Sequence, residues 1–461
     1  MLLNDKTPII AIATAPGRGG IGIIRLSFDA QLDASILETL FPNRRIEPRH
    51  AHLLPVLDEK NELLDHAVVL YFPAPASYTG ESVLEIQAHG GPVLLKLIMR
   101  AALSKLSFCG LRIAEPGEFT KRAFLNGRMD LAQAEAVSGL IDAASEAAAH
   151  AAARSLSGDF SKEVHEVGGL LDEARALSEA SLDFPEEDLE ELKEAQIFSR
   201  VREADEKIAR LLASARRGVV LADGIAVALV GAPNVGKSSL LNAFAGEEVA
   251  IVTDIAGTTR DKVEHWTAFD GVPLRIVDTA GVRETDDIVE QKGIERTLKA
   301  ISEADIVLHL VDASGRIPDD EALLERVRGC ARPGTPLLIV ANKVDCAPEE
   351  RLKVYQNENA VLISAKTGHG LADLKARVLE YADMTGGTEG VFLARERHLA
   401  CLRQAAGHLA AALEMSTSPF CMMELFAEEL RLAGRALGEL LGETDAEDLL
   451  GIIFSRFCIG K

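Results

Sequence analysis

The sequence predicts a multidomain protein, in which an α/β domain is inserted between two helical segments that follow an N-terminal α+β domain. The chain has 461 residues, which is too long for a single hydrophobic core. Strand-like apolar runs occur before about residue 118 and again between 216 and 383, whereas helical periodicity fills the rest. The predicted domains are therefore residues 1–118, 119–215, 216–383 and 384–461.

The N-terminal region alternates short apolar runs with Gly and Pro turns, which is typical of β-strands. A helical pattern from Val93 to Leu106 follows the glycines that precede Pro92. This mixture predicts an α/β or α+β domain, of which the α+β class is the one favoured here. The predicted strands are Pro8–Ala13, Ile21–Leu26, Ala67–Phe72 and Val83–Ala88.

Helical patterns fill the second and fourth regions. The Ala-rich stretch from Leu131 to Leu156 has apolar spacings of three and four, which predicts one long helix. Further helices are predicted over Val164–Leu182, from Glu186 toward Arg216, and over Arg395–Leu441. We expect the last segment to pack against the earlier helices, because the two ends of an inserted domain lie close together.

The composition narrows the class of protein. With 48% hydrophobic and 26% charged residues and no apolar run of roughly 18 residues, the chain is predicted to be globular without a membrane span. The first residues lack a secretory pattern, and the six cysteines form no C-x-x-C pair, which favours a reducing cytoplasm. The net charge of −22 repels nucleic acid, so action on RNA would need a local basic patch or a basic partner.

The most informative motif is Gly231-Ala-Pro-Asn-Val-Gly-Lys-Ser238, which fits the phosphate-loop pattern G-x-x-x-x-G-K-[ST]. A strand is predicted before it, over Ile225–Val230, and a helix begins after it. In such a loop the backbone N–H groups and the helix N-terminus bind phosphate oxygens. Lys237 is predicted to reach the β- and γ-phosphates, and the Ser238 hydroxyl to ligate Mg²⁺.

Three further motifs follow predicted strands and identify the nucleotide. The segment Asp278-Thr-Ala-Gly281 is typical of the Mg²⁺ and γ-phosphate shell. In Asn342-Lys-Val-Asp345, the carboxylate of Asp345 can accept two hydrogen bonds from guanine that adenine cannot offer as a pair. The segment Ser364-Ala-Lys366 completes a base pocket. In this order the motifs resemble the GTP-binding core of translation-factor-like GTPases.

The usual groups for hydrolysis are replaced. Many small GTPases have a Gln after D-x-x-G, but Val282 stands here and cannot orient water. Asn234, with the carbonyls of Thr253 and Ile255, could hold a monovalent cation such as K⁺, or Asn234 could simply shape the loop. Glu290 is the carboxylate favoured for positioning water; its alternative interpretation is an exposed residue of the second switch.

Five further segments lie in a fixed order along the whole length of the chain. They are Pro16–Arg25, Tyr78–Gly91, Glu115–Asp130, Ile251–Asp261 and Phe457–Lys461. With these motifs the chain resembles the MnmE (TrmE) family of tRNA-modifying GTPases. The resemblance implies an N-terminal folate-binding domain, a helical domain in two segments and an inserted P-loop GTPase domain.

The resemblance implies a site for 5-formyl-tetrahydrofolate or a related tetrahydrofolate at Arg25, Glu85, Arg128 and Lys461. The basic groups suit the glutamate carboxylates of folate, and Glu85 suits the N–H groups of the pterin. The family often has Lys where Arg128 stands; arginine keeps the charge but changes the geometry of the contact. Without the resemblance, Arg25 and Glu85 would be interpreted as an ion pair on a strand face.

Cys458 is similar to a family cysteine that is assigned to the modification step. The alternative interpretation is that Cys458 is a small buried hydrophobic residue.

The resemblance also implies a set of nucleotide and ion contacts, with Glu290 as the residue that positions water. K⁺ would be held by Asn234, Thr253, Ile255 and Thr258, and Mg²⁺ by Ser238 and Thr259. The implied GTP-binding residues are Asn234, Val235, Gly236, Lys237, Ser238, Ser239, Thr253, Asp254, Ile255, Ala256, Gly257, Thr258, Thr259, Asp278, Thr279, Ala280, Gly281, Asn342, Lys343, Asp345, Ser364, Ala365 and Lys366.

The implied partners are a second copy of the chain, tRNA, and the flavoprotein MnmG in a heterotetramer-type complex. Together they would add a carboxymethylaminomethyl or aminomethyl group to C5 of the wobble uridine. A ribosome-assembly GTPase is the main alternative, but it predicts a basic RNA-binding appendage that the composition lacks. A folate-binding module with a non-functional GTPase predicts degenerate nucleotide motifs, yet all four are intact.

Overall fold

The structure is a computed structural model of the 461-residue chain. It describes residues 6–183, 190–245, 264–278, 298–315, 321–417, 422–443, 447–455 and 457–460. The chain divides into two compact units, each described by itself below. Unit 1 comprises residues 1–138 and 438–461, and unit 2 comprises residues 139–437.

Twelve strands and fourteen α-helices are labelled among the described residues, and residues 298–303 are also helical. The strands are β1 (Ile9–Ile12), β2 (Gly22–Phe28), β3 (His52–Leu57), β4 (Leu63–Phe72), β5 (Ser82–Ala88), β6 (Arg112–Ile113), β7 (Ile225–Val230), β8 (Glu264–Phe269), β9 (Val272–Asp278), β10 (Ile306–Asp312), β11 (Leu337–Asn342) and β12 (Val361–Leu362). The helices are α1 (Asp33–Leu40), α2 (Pro92–Lys105), α3 (Glu118–Leu125), α4 (Leu131–Ile141), α5 (Glu146–Ser157), α6 (Asp159–Asp183), α7 (Glu190–Asp223), α8 (Lys237–Ala245), α9 (Glu321–Cys330), α10 (Glu349–Asn357), α11 (Leu371–Tyr381), α12 (Glu396–Ser416), α13 (Met423–Leu441) and α14 (Glu447–Ser455). None of these helices combines the length and hydrophobicity that crossing a membrane requires.

Unit 1 is built on a six-stranded sheet with the order β3-β4-β5-β2-β1-β6. Only β1 and β6 run parallel; the other neighbours are antiparallel. Alternate residues such as Ile24 and Ile86 are buried on one face, where Ile98 of α2 joins their core. Phe119 of α3 packs with Ile9 in a separate cluster. The four strands predicted in this region are confirmed.

Unit 2 contains a second six-stranded sheet with the order β12-β11-β10-β7-β9-β8, in which only β8 is antiparallel to its neighbour. Every residue of β7 is buried, as expected for a central strand of a parallel sheet. Because the carboxyl ends of parallel strands meet at one edge, the motifs that follow β7, β11 and β12 gather there, together with Asp278 at the end of β9.

Helices α5, α6, α7 and α12 and the part of α13 up to residue 437 also belong to unit 2. Helix α7 packs against α6 and α12, and the rings of Phe198 and Phe426 join α7 to α13 with centroids 5.5 Å apart. The expected packing of the C-terminal helices against the earlier ones is therefore confirmed. Helix α7 continues to Asp223, one residue before β7 begins. The domain boundaries near residues 118, 215 and 383 remain predictions.

The prediction of one helix from Leu131 to Leu156 is wrong. The structure has α4 and α5 there, separated by residues 142–145. Ser145 has an extended backbone, and its side chain accepts a hydrogen bond from the Ala148 N–H, which caps the start of α5. A serine favours this capping role over a mid-helix position because its hydroxyl satisfies an N–H that lacks a helical partner.

Candidate nucleotide-binding site

The phosphate loop joins β7 to α8 at the carboxyl edge of the unit 2 sheet. Asn234 and Gly236 both have left-handed backbones, with φ of 65° and 101°, which bends the loop sharply. Lys237 opens α8, and its Nζ donates to the carbonyls of Gly231 at 2.7 Å and Ala232 at 3.1 Å. The ammonium group therefore lies over the loop at a helix N-terminus, the arrangement that binds phosphate. Ser238 and Ser239 are exposed in the first turn of α8.

A buried side chain joins the phosphate loop to the base loop. Asn342 Nδ2 donates to the Val235 carbonyl at 2.9 Å, and Asn342 Oδ1 accepts from the Ala365 N–H at 2.9 Å. A Cβ atom on Gly236 would lie 2.3 Å from Asn342 Nδ2, so this close approach requires a glycine. The first residue of the N-K-x-D motif thus holds two loops together.

The other residues of that motif have separate contacts. Lys343 has a left-handed backbone, and its Nζ donates to the Asn234 carbonyl at 2.8 Å and to Asp312 Oδ2 at 2.6 Å. Asp345 is exposed, and hydrogen bonds from Ser364 and then Cys346 hold the pKa of its carboxyl below the ordinary value. The carboxylate is therefore ionised and accessible, as guanine recognition requires.

Several predicted contacts fall on the switch regions, which the structure describes only in part. Asp278 is the last residue of β9, where its backbone pairs with Leu229 near the start of the phosphate loop. The remaining switch residues named above lie outside the described part of the chain. They are Thr253, Asp254, Ile255, Ala256, Gly257, Thr258, Thr259, Thr279, Ala280, Gly281, Val282 and Glu290.

Sequence reasoning missed Asp312 and Ser314. Asp312 ends β10 and pairs in register with Asn342 on β11. Its Oδ1 accepts from the Ser314 N–H at 2.9 Å and from the Ser314 hydroxyl at 2.6 Å. The available signal was an acidic residue at the end of an apolar run, beside two strands whose ends already carried nucleotide motifs.

In unit 1, the residues expected to bind folate lie on neighbouring strands. Arg25 of β2 pairs in register with Glu85 of β5, and Arg25 Nε donates to Glu85 Oε1 at 2.9 Å. The guanidinium carbon lies 5.5 Å from the ring centroid of Tyr78 and 5.9 Å from that of Phe119. The strand-face ion pair is thus present; because both side chains are partly exposed, it does not exclude a ligand.

Two other candidates of unit 1, Arg128 and Cys458, are exposed. Arg128 follows α3, and the aliphatic part of its side chain lies close to Gly80. Cys458 is exposed, so the alternative that it is a small buried hydrophobe is wrong. Its carbonyl accepts from the Gly117 N–H at 3.4 Å. Lys461 lies outside the described residues.

Comparisons with known proteins cover both units. The family model described as the MnmE helical domain matches residues 131–458, and the one described as the GTP-binding protein TrmE N-terminus matches residues 8–128. A tRNA modification GTPase MnmE of Burkholderia thailandensis is 50% identical over 471 residues, covering 100% of both chains. That of Burkholderia ambifaria is 50% identical over 468 residues, again covering 100% of both. This chain belongs to the MnmE family.

As a member of this family, the chain is a GTP hydrolase. It combines a TrmE N-terminal domain, a helical domain and a P-loop GTPase domain, as the sequence predicted. Among solved structures, the G domain of the T. maritima FeoB iron transporter is 28% identical over 34% of this chain and 98% of that chain. The TM-score of this match is 0.27.

Replacing Gly236 by alanine should weaken nucleotide binding in this MnmE-family site about tenfold to a hundredfold, because a left-handed alanine is strained by about 1–3 kcal/mol. The added methyl group would also displace Asn342. Titration with a fluorescent GDP analogue measures the effect. Gly329→Ala is the matched control, since a Cβ there meets nothing within 4 Å. Equal affinities of Gly236→Ala and the parent chain would contradict the prediction.

Proposed function

We propose that this chain is a K⁺-activated GTPase which, together with the flavoprotein MnmG, adds a carboxymethylaminomethyl or aminomethyl group to C5 of the wobble uridine of tRNA. The one-carbon unit would come from 5-formyl-tetrahydrofolate or a related tetrahydrofolate. The observation that carries the proposal is the joined nucleotide site, in which Asn342 links the phosphate loop to the loop that faces Asp345. It lies in a chain 50% identical, end to end, to tRNA modification GTPases.

The residues of the phosphate loop suit GTP with Mg²⁺. Lys237 lies over the loop and would move from the carbonyls of Gly231 and Ala232 onto phosphate oxygens. The exposed Ser238 hydroxyl suits Mg²⁺, which prefers oxygen ligands; Thr259 and Asp278 would complete its shell. When bound, Mg²⁺ neutralises charge that develops on the phosphates.

Asn234 suits a monovalent cation beside the same phosphates. Its left-handed backbone and exposed side chain leave the carboxamide oxygen accessible at the turn of the loop. We propose that it holds K⁺ together with Thr253, Ile255 and Thr258. The cation would supply the positive charge that an arginine finger supplies in other GTPases. Glu290 is proposed to position the attacking water.

We expect KCl to stimulate GTP hydrolysis at least about tenfold over NaCl at equal ionic strength, because arginine-finger charges are worth more than this. Asn234→Gly should lose the stimulation while it retains GTP binding, since glycine tolerates the backbone conformation at φ of 65°. Phosphate release measured in both salts tests this. Equal rates of the unmodified protein in KCl and NaCl would refute the cation site.

The proposed folate site uses Arg25, Glu85, Arg128 and Lys461. Arg25 and Glu85 neutralise each other on the strand face, so a ligand would have to offer both carboxylates and N–H groups to replace that pair. A folate carries both kinds of group. When bound, it would supply the one-carbon unit, and the exposed thiol of Cys458 is proposed to act in the modification step.

The net charge of −22 supports the proposal that a partner protein shares the binding of tRNA with this chain. An acidic chain is repelled by phosphates at long range, so a partner that contacts much of the tRNA removes the difficulty. We propose that this partner is MnmG, and that the chain acts as a homodimer in a heterotetramer-type complex.

The proposal is tested by mass spectrometry of wobble nucleosides in tRNA from cells that lack the chain. Cells complemented with Lys237→Ala report on the need for the phosphate loop, and Lys353→Ala is the control, because Lys353 forms an exposed ion pair with Glu349 on α10. We expect the C5-substituted uridine to disappear in the deletion and the Lys237 variant only. Unchanged nucleosides together with accumulated ribosomal precursors would favour a ribosome-assembly GTPase instead.

A further inference from the structure

We propose that Asp312 is a positioning residue of the nucleotide site, which acts through Lys343 to hold the phosphate loop at Asn234 in its binding conformation. The proposal concerns guanine nucleotide binding alone. It therefore stands whether or not the K⁺, folate and MnmG parts of the proposed function hold.

The fold places Asp312 between the two halves of the site. It ends β10, which lies between β7, the strand that leads into the phosphate loop, and β11, the strand that leads into the N-K-x-D motif. Asp312 pairs in register with Asn342, and the next residue, Ala313, donates its N–H to the Asn342 carbonyl at 2.8 Å. A carboxylate at this position can reach side chains from either neighbouring strand end.

Lys343 joins Asp312 to the phosphate loop. Its ammonium group donates to Asp312 Oδ2 at 2.6 Å and to the Asn234 carbonyl at 2.8 Å. The bond to the carboxylate is charge-assisted and about twice as strong as a neutral one, so it directs the side chain. Because the carboxylate holds the ammonium in this position, another N–H of Lys343 donates to the carbonyl of Asn234 and fixes the left-handed turn at that residue.

Asp312 is itself held in place. Its Oδ1 accepts two bonds from Ser314, while Oδ2 faces Lys343, so the two oxygens have separate partners. The carbonyl of Ser314 accepts from Arg351 at 3.2 Å, which fixes the turn after β10. Burial by itself would raise the pKa of the Asp312 carboxyl, but bonds from Lys343 and Ser314 outweigh it and lower the pKa. The group is an anion at neutral pH.

This contact has a consequence for binding. Without the carboxylate, the ammonium of Lys343 would keep only its bond to the uncharged Asn234 carbonyl, and the opposite charge that directs the side chain would be lost. The loop would then sample other conformations, and the nucleotide would have to order it on binding, which lowers affinity.

Asp312→Asn keeps the shape and removes the charge. We expect it to weaken binding of a fluorescent GDP analogue about tenfold, mainly through faster dissociation, and to raise the KM for GTP more than it lowers kcat. The double variant Asp312→Asn with Lys343→Met should bind no more weakly than Lys343→Met alone, because both changes remove the same link. The melting temperature of the nucleotide-free protein should stay within about 2 °C of the parent.

Glu428→Gln is the matched control, since it removes the charge of a carboxylate paired with Arg431 on the exposed side of α13. Its affinity for the GDP analogue should equal that of the parent chain. Three results would overturn the proposal: unchanged affinity of Asp312→Asn, fully additive losses in the double variant, or a loss of affinity matched by a lower melting temperature of the nucleotide-free protein.

Discussion

Replacing Lys237 by alanine should lower kcat/KM for GTP at least about a hundredfold, because this side chain supplies a positive charge directly to the phosphates. In the structure its ammonium lies at the N-terminus of α8, 2.7 Å from the Gly231 carbonyl. No other lysine follows the loop within the first turn of α8, and the two serines that do cannot replace the charge. Phosphate release over a range of GTP concentrations measures the loss.

Lys353→Ala again serves as the control and should retain the parent kinetics, because its ion pair with Glu349 is exposed. Thermal melting of the nucleotide-free Lys237→Ala protein separates chemistry from folding. Near-normal turnover of a folded Lys237→Ala protein would show that the phosphate loop does not take part in GTP hydrolysis.

Replacing Arg122 by methionine should destabilise unit 1 by about 3–5 kcal/mol, because removing one member of a buried ion network leaves uncompensated charge. Arg122 is only 2% exposed. Its guanidinium donates to Glu81 at 2.9 Å, to Glu118 at 2.9 Å and to the Thr7 carbonyl at 2.7 Å. Methionine replaces only the unbranched aliphatic part of the side chain and satisfies none of these three acceptors.

The same network should make unit 1 sensitive to acid. Burial alone would raise the pKa of Glu118, but bonds from Arg112, the Glu115 N–H and Arg122 lower it below 4.5. A carboxyl whose pKa is lower in the folded state stabilises fully above the unfolded pKa, and this stability is lost as the pH falls through the folded pKa. We therefore expect the parent chain to lose stability below about pH 4.5, and the Arg122 variant to show a weaker loss.

Hydrogen exchange of β2 and β5 measures the stability of unit 1. The single tryptophan, Trp266, lies in β8, so its fluorescence follows unit 2 separately. Arg431→Met is the control because its partner Glu428 is exposed. If exchange in β2 were unchanged by Arg122→Met, the buried network would not stabilise the domain.

Local signals predicted much of the fold and of the site. Strands such as Ile225–Val230 were predictable because a buried parallel strand is a continuous apolar run, and the phosphate loop because its chemistry restricts residue types. The break at Ser145 was not predicted, because alanine-rich flanks support a helix on either side and capping depends on one backbone conformation. Asp312 was missed because its role depends on the distance to Lys343, which only the order of strands in the sheet determines.

Helix α7 is 34 residues long, which corresponds to about 50 Å at 1.5 Å per residue. It ends at Asp223, and Gly224, with a left-handed backbone, is the single residue between it and β7. The far end of β7 is the phosphate loop. A rotation of about 5° at Gly224 would carry the opposite end of α7 through about 4 Å. Gly224 is separated from the phosphate loop only by β7. Because α7 is long, a small change of angle at Gly224 would therefore move the N-terminal end of the helix by several ångströms.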